Sequence, residues 1–387
     1  MFYTPILSIV IPTYNRYDTL IPVLNTFLQW ESNDFEVIIQ DNTEINNDIL
    51  QYLETIEVKQ VFKYFHTSRR LSAIENCDLA VSHANGEYVC FIGDDDCVIP
   101  SIIKLCYWLR DNNYDSLCCN VPLYTWANME HAVSINNAYN GKLILSNYTS
   151  KLEIVDPQFE LLKLVKSGGQ SLFKVPRLYQ GIVSKQALDK LKDKVQTYFP
   201  GPVPDMSNAV ALSSIITKHC YIDLPFIIAG HSKKSMSGKN STRMHQGEIT
   251  SEKSLGNDTA DRWSKKIPFF WSAPTIWSEA ALKALQALDL KYELSQFNYS
   301  FVYANCFVYC DAKYFKFIFE SIKKEKNILR RINIYGCTFL YINLSLFMRA
   351  KNLIRKLLFG IQGVDCYDIH TASQYCFNVV EASFNKK

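Results

Sequence analysis

The sequence predicts an α/β protein, with a mostly parallel sheet covered by helices on both faces and a helical C-terminal part. Three observations predict it. Over the first 237 residues, apolar runs of strand length alternate with stretches whose apolar residues recur at helical spacing. The strand runs stop abruptly in polar or acidic residues, most sharply in 88–100, where Tyr-Val-Cys-Phe-Ile-Gly gives way to Asp94, Asp95 and Asp96. From Trp263 onward the pattern becomes aromatic-rich and helical.

Residues 7–11 read as a fully buried strand, and Pro12, Thr13, Tyr14, Asn15 and Arg16 as the loop leaving its carboxyl end. Asp18 is placed to cap the next helix, whose Leu20, Leu24, Phe27 and Leu28 share a face; Pro22 falls near its first turn, where a missing N–H is tolerated. Residues 35–40 form a second strand ending at Asp41, 49–55 a short helix and 61–66 a third strand. The helix over 72–84 carries a small-residue stripe of Ala73, Cys77, Ala80 and Ala84, with Gly86 as its C-terminal cap. The strand from Tyr88 then delivers the acids. Beyond it, 102–109 reads as a helix, 116–126 as a strand, 127–155 as an insertion over the sheet edge, 157–166 as a helix, and 178–183 and 184–192 as a strand and a helix. The rigid, proline-rich run 198–204 leads Asp205 into a helix over 206–218, and 221–229 is a strand. Residues 238–262, rich in Ser, Lys, Gly and Asn, read as a mobile loop or lid.

The composition bounds the function. The chain has 387 residues, 48% hydrophobic and 20% charged, enough for two or three domains with a large core. A net charge of +3 is too balanced to argue for nucleic acid as a partner. The N-terminal residues lack a charged leader and a small-residue cleavage site, so the catalytic part is expected in the cytoplasm. Twelve scattered cysteines without a CxxC pair read as reduced core thiols, and HExxH is absent. No glycine-rich turn follows the first strand and no P-loop occurs, which excludes the common dinucleotide and NTPase cradles.

Three adjacent carboxylates at a strand end are costly unless a cation or protons neutralise them. Mg²⁺ or Mn²⁺ takes oxygen ligands, commonly one or two carboxylates together with substrate phosphates, so Asp94, Asp95 and Asp96 suggest a metal and a nucleotide diphosphate. A solvated acidic turn is the plainer alternative.

Four blocks in this order resemble the family 2 glycosyltransferases, whose catalytic domain has the GT-A fold: 8–16 (Ser-Ile-Val-Ile-Pro-Thr-Tyr-Asn-Arg), 37–42 (Val-Ile-Ile-Gln-Asp-Asn), Asn76 with 84–88 (Ala-Asn-Gly-Glu-Tyr), and the acids 94–96. The resemblance is strong over 6–120 and thinner to about 237. It implies that Pro12 to Arg16, Asp41, Asn76, Asp94 and Asp95 bind the nucleotide, with Asp41 taking a hydrogen bond from the base, as is usual for uracil. It implies that Asp94, Asp95 and Asp96 hold the metal, and that Asp205 is the general base of an inverting transfer, a position that is also favourable for a helix cap. His231 matches a family histidine that ligates metal or contacts the diphosphate, with Ser232, Lys233 and Ser235 beside it; a solvated basic loop is the alternative. Two departures stand out: Gly93 occupies the family's first acid position, and Ile74-Glu75-Asn76 replaces Ala-Arg-Asn, leaving Arg70 or Arg69 to supply the missing charge.

The implied organisation is a catalytic domain over 1–237, the loop 238–262, and a helical domain over 263–387 for acceptor or membrane-surface contacts. Residues 332–348 carry no charge and are flanked by Arg330, Arg331, Arg349, Lys351, Arg355 and Lys356, so 326–358 read either as an interfacial helix at the inner face of the membrane or as a buried helix. The implied partners are a UDP-sugar donor and a saccharide acceptor, a lipid-linked one included, in bacterial surface polysaccharide synthesis. A sugar-phosphate nucleotidyltransferase would need a glycine-rich basic loop after the first strand. A non-catalytic sugar-nucleotide or glycan-binding module would have no need of both the acids and Asp205.

Overall fold

The computed structural model describes residues 4–56, 61–131, 134–242, 245–359 and 363–384. Strands and helices alternate at first: β1 (Leu7–Thr13), α1 (Tyr17–Phe27), β2 (Phe35–Asp41), α2 (Asn47–Thr55), β3 (Phe62–His66), α3 (Ala73–Ser82) and β4 (Tyr88–Phe91). Then come β5 (Cys97–Val98), α4 (Ile102–Asp111), β6 (Ser116–Cys119), β7 (Leu123–Thr125), β8 (Lys142–Ile144), β9 (Leu152–Val155), α5 (Pro157–Lys166), β10 (Gly181–Ser184), α6 (Lys185–Val195), α7 (Pro204–Ser213), β11 (His219–Ile222) and β12 (Ile227–His231). The C-terminal part holds α8 (Met236–Ser241), β13 (Gln246–Gly247), β14 (Trp271–Ser272), α9 (Ala273–Ala287), α10 (Lys291–Ser295), α11 (Tyr299–Tyr309), α12 (Phe315–Lys323), α13 (Ile328–Phe359), β15 (Val364–Asp365) and α14 (Ile369–Phe384).

The main sheet has the order β3-β2-β1-β4-β10-β6-β11-β9. Strands β1 to β4 run parallel, with Ile9 opposite both Val37 and Cys90, while β10 is inserted antiparallel between β4 and β6. Both faces are covered, as expected, and the period of two sorts the side chains. Ile9, Ile11, Val37 and Ile39 pack with α1, α4 and α14, whereas Val10, Ile38 and Val89 pack with α3 and α6.

The structure corrects several readings of the sequence. The stretch 116–126 is two strands, as is 219–231, because each crosses from the main sheet into a second one of order β15-β8-β7-β12-β5. The segment 127–155 is not a plain insertion: it supplies β8 to the second sheet and β9 to the edge of the first. Of the expected loop 238–262, residues 243 and 244 lie outside the described residues; the stretch from Gln246 is tied down, since β13 pairs with β14 and Ile249 and Leu255 are buried in the C-terminal core. The last helix, α14, returns to the first core, where Ile369, Ala372, Cys376 and Val380 sit beneath α1.

Gly86 does not cap α3, which ends at His83. Its task is close approach. Its N–H donates to Ser8 Oγ (2.7 Å), Ser8 donates to the buried Glu36 carboxylate (2.6 Å), and Asn85 N–H donates to the same oxygen (2.7 Å). This network clamps the amino ends of the central strands, opposite the acids. A Cβ at position 86 would lie 2.6 Å from Ser8 N and 2.8 Å from Leu7 C, backbone atoms that cannot yield. Gly86→Ala is therefore expected to destabilise by about 2 kcal/mol or more. Gly336→Ala, in α13 with no atom within 4 Å, should stabilise by about 0.5–1 kcal/mol. Urea titration of the two variants checks the contrast.

Candidate functional site

The carboxyl ends of β1 and β4 lie side by side, and the loops leaving them meet. The β4 loop is a tight turn, with Asp96 N–H donating to Gly93 O (3.2 Å), so three successive side chains leave in different directions. Asp94 accepts from Thr13 Oγ1 (2.7 Å), Asp95 from Ser232 Oγ (2.6 Å), and Asp96 from the N–H groups of Gly93 (2.8 Å) and Gly230 (2.7 Å) and from Gln180 Nε2 (3.1 Å). All three carboxylates are buried.

The cation that faces them is Arg16. Its guanidinium lies 2.7 Å from Asp94 Oδ1 and 2.8 Å from Asp95 Oδ1, and it donates to Ser232 Oγ (3.0 Å). Burial works against the Arg16 charge, but Asp94 and Asp95 overcome it and hold the guanidinium protonated more firmly than usual. Burial pushes the Asp94 carboxyl up to about 6 even though Arg16 draws it down, and burial with the Asp95 charge pushes Asp96 up to about 7.

The four acid and histidine positions expected at a metal do not converge. Among the described residues no group of three His, Cys, Asp or Glu side chains could hold an ion together. Asp96 is turned into the backbone of β12, and His231 faces Ser241 Oγ (3.0 Å) and the His131 ring (5.5 Å between centroids). Asp94 and Asp95 do fit a hard divalent ion held by two carboxylates and phosphate oxygens. Asp94 Oδ1 in particular is buried and has charge contact with Arg16 but no hydrogen-bond donor. At Gly93 an added Cβ would lie 3.2 Å from Asp95 Oδ1 and 3.3 Å from Tyr179 Oη, so the space for a further acid is filled.

The β1 loop is built to pass close by. Asn15 takes a left-handed conformation (φ 56°), with its N–H donating to Thr43 Oγ1 (2.9 Å), and this turns Arg16 back over the acids. Asn76, buried on α3, donates from Nδ2 to Thr13 O (3.3 Å), while its Oδ1 is buried without a donor. Tyr14 is exposed and lies under the Arg70 guanidinium, 4.2 Å from ring centroid to Cζ. Arg69 is more remote and faces Glu75 (3.9 Å).

Other expected contacts have different tasks. Asp41 is fully buried, and its carboxylate accepts from Tyr17 Oη (2.5 Å), Tyr64 Oη (2.8 Å) and Thr43 N (2.8 Å); it shapes the Asn42–Thr43 loop rather than presenting itself to a base. Lys233 pairs with Glu130 (2.5 Å), and Ser235 donates to Ser232 O (2.8 Å) and accepts from Gly238 N (3.1 Å), which places it in the turn before α8. Of that segment Ser232 alone reaches the acids. His219 is structural, bound to Ser116 Oγ (2.7 Å) and Lys174 O (3.0 Å).

Asp205 is not a helix cap. Val203 holds that position, and Asp205 sits inside the first turn of α7, accepting from Met206 N (2.8 Å). Burial raises its carboxyl to about 6, where a cap would have lowered it. Tyr179 joins it to the acid turn: burial, a hydrogen bond to Asp96 and the charges of Asp95 and Asp205 together hold its phenol well above the usual range. Sequence reasoning missed Tyr179, Gln180 and Trp126, whose indole donates to Asp95 O (3.1 Å). They come from segments with no motif: Tyr179 and Gln180 reach the turn because antiparallel β10 is threaded beside β4, and Trp126 because β7 pairs with β12.

Residues 8–164 match the family model described as glycosyl transferase family 2. Over this stretch the chain forms a domain similar to the family 2 glycosyltransferases. That domain is similar to WcaA of Escherichia coli K12, whose name assigns it to colanic acid biosynthesis, with 30% identity over 26% of this chain and 36% of the relative. It is also similar to TuaG of Bacillus subtilis 168, named for teichuronic acid biosynthesis, with 29% identity over 24% of this chain and 37% of the relative. The matched stretches span only 15% to 37% of the curated relatives' own lengths. Among solved structures, S. aureus TarS 1–349 in complex with UDP-GlcNAc aligns over 89% of this chain and 92% of that one, at 14% identity and a TM-score of 0.45.

The β4 turn thus holds its acids with an internal cation, Arg16, and removing that cation should expose the cost. Arg16→Met is expected to lower stability by about 3 kcal/mol at pH 8, the usual scale for breaking one side of a buried ion pair. Without Arg16 the acids bind protons more readily in the folded state than in the unfolded chain, so the loss shrinks as pH falls through 6. Thermal melts of wild type and variant from pH 5 to 8 check the sign.

Proposed function

We propose that the chain is an inverting, metal-dependent glycosyltransferase that moves a sugar from a nucleoside diphosphate donor, a UDP-sugar by the family resemblance, to a saccharide acceptor, a lipid-linked one included, in surface polysaccharide synthesis. The observation that carries the reading is the arrangement at the strand ends. Asp94, Asp95 and Arg16 form one charged cluster, and the buried Tyr179 phenol feels the charges of both Asp95 and Asp205. The names of the relatives WcaA and TuaG support the polysaccharide setting.

Asp94 and Asp95 are the residues that would hold Mg²⁺ or Mn²⁺, which when bound supplies positive charge to the departing diphosphate. Arg16, on the same acids, is placed to turn its guanidinium toward phosphate oxygens. Asn76 Oδ1, buried without a donor, offers an acceptor to an N–H or O–H of the nucleoside. Thr13 fixes the Asp94 carboxylate, and Gln180 with the backbone of Gly93 and Gly230 fixes Asp96, so the turn keeps its shape as charge changes nearby. Arg70 stacked on Tyr14 forms an outer wall suited to a base or sugar face.

Asp205 takes the proton of the acceptor hydroxyl as that oxygen attacks the anomeric carbon. The bond from that carbon to the diphosphate oxygen breaks, the electron pair leaves with the diphosphate, and the configuration inverts. A base whose carboxyl lies near 6 is ionised at neutral pH and still basic enough to accept a proton.

Asp205→Asn is expected to reduce turnover at least about 100-fold, within the usual contribution of general acid–base catalysis. The same change should raise stability at pH 8 by about 1–3 kcal/mol, because a carboxyl raised by burial opposes folding once ionised. Release of nucleoside diphosphate from a panel of UDP-sugars, followed from pH 5 to 8, should rise through about 6 to a plateau in the wild type. A flat profile, or an active Asp205→Asn, would remove Asp205 from this role.

A further inference from the structure

Helix α13 packs the wrong way round for a helix of a water-soluble core. It is 32 residues long, about 48 Å. Toward α11 it buries Thr338 and Ser345, with Thr338 Oγ1 donating to Ser300 O (3.4 Å), Tyr341 edge-on to Phe301 (5.2 Å) and Arg349 donating to Val308 O (2.9 Å). Its large apolar side chains point the other way. Leu329 is 78% exposed, Phe339 69%, Phe347 69% and Leu358 71%, with Ile332 and Leu340 between them. At 100° per residue these six fall within an arc of about 100°, the exposed Leu344, Leu346 and Leu353 flank it, and Thr338 and Ser345 lie opposite. An apolar stripe of this length is far beyond the scattered exposed residues of ordinary surfaces.

Charge decides what covers it. Between Ile328 and Phe359 there is no Asp or Glu, while Arg330, Lys351 and Arg355 project along one edge of the arc. A second copy laid face to face would bring these cations together with no acid from α13 to pair them. An anionic surface would neutralise them. No helix among the described residues is long and apolar enough to cross a membrane, so α13 is not a span. We propose that α13 is an in-plane membrane-docking helix, its apolar arc sunk at the headgroup boundary of an anionic lipid surface and its basic edge set against lipid phosphates.

Flotation of the full chain tests this, with vesicles of phosphatidylglycerol and phosphatidylcholine (about 1:1) against phosphatidylcholine alone at low salt. The chain should float with the anionic vesicles and stay down with the neutral ones. Phe339→Asp with Phe347→Asp should abolish flotation, and Lys351→Glu with Arg355→Glu should weaken partitioning at least about tenfold, each Lys or Arg near an anionic surface being worth about fivefold. These side chains are exposed, so both variants should melt like the wild type. Absence of flotation with anionic vesicles, or flotation unchanged in both variants, overturns the proposal. So does a wild-type dimer in light scattering that the phenylalanine variant converts to monomer, since a second copy would then own the face.

Discussion

Asp94 and Asp95 are almost wholly removed from water, and the Arg16 guanidinium that reaches both is the interaction on which the site depends. Two adjacent buried carboxylates cannot both stay ionised without a cation. Everything that places Arg16 therefore bears on the acids: the left-handed Asn15, the Thr43 hydroxyl that holds its N–H, and the buried Asp41 that fixes Thr43. The donor loop and the acid turn are thereby one electrostatic unit, although 77 residues of chain, 17–93, separate Arg16 from Asp94.

Asp205 obeys a different constraint. Among the described residues no cation pairs with it, and burial lifts its carboxyl toward neutrality. Tyr179 feels the charges of both Asp205 and Asp96, and burial with those charges keeps its phenol protonated. The C-terminal helices contribute here as well as at α13. Helix α7 packs on α9, so the surroundings that tune Asp205 come from both parts of the chain.

Much of the fold was legible because buried parallel strands leave a strong trace. The run 7–11 and the run ending at Gln40 could only be central strands, and the acids after Gly93 marked the end at which chemistry would lie. The motif blocks turned out to have two kinds of duty. Thr13, Arg16 and Asp94 sit at the site, whereas Ser8, Asn85 and Gly86 clamp the far ends of the same strands. Sequence pattern cannot tell these apart, since both are polar positions flanking apolar runs. Asp41 and Asp96 differ from expectation for a related reason: their partners are tyrosine hydroxyls or backbone amides supplied by tertiary contact, whereas Ser235 is taken up by its own local turn. Short strands such as β7 and β12, which change sheets after three or four loop residues, also leave no periodicity long enough to divide.

On the proposed function, Asp94 and Asp95, shared with Arg16, would form the binding place of a metal-bound nucleoside diphosphate. Calorimetric titration of the full chain with UDP, with and without Mn²⁺, tests it most directly when repeated on Asp94→Asn and Asp95→Asn. Saturable binding is expected to strengthen at least about tenfold with Mn²⁺ in the wild type and to lose that gain in both variants. Binding of equal strength with and without the metal, or a Mn²⁺ gain that survives both substitutions, would contradict it.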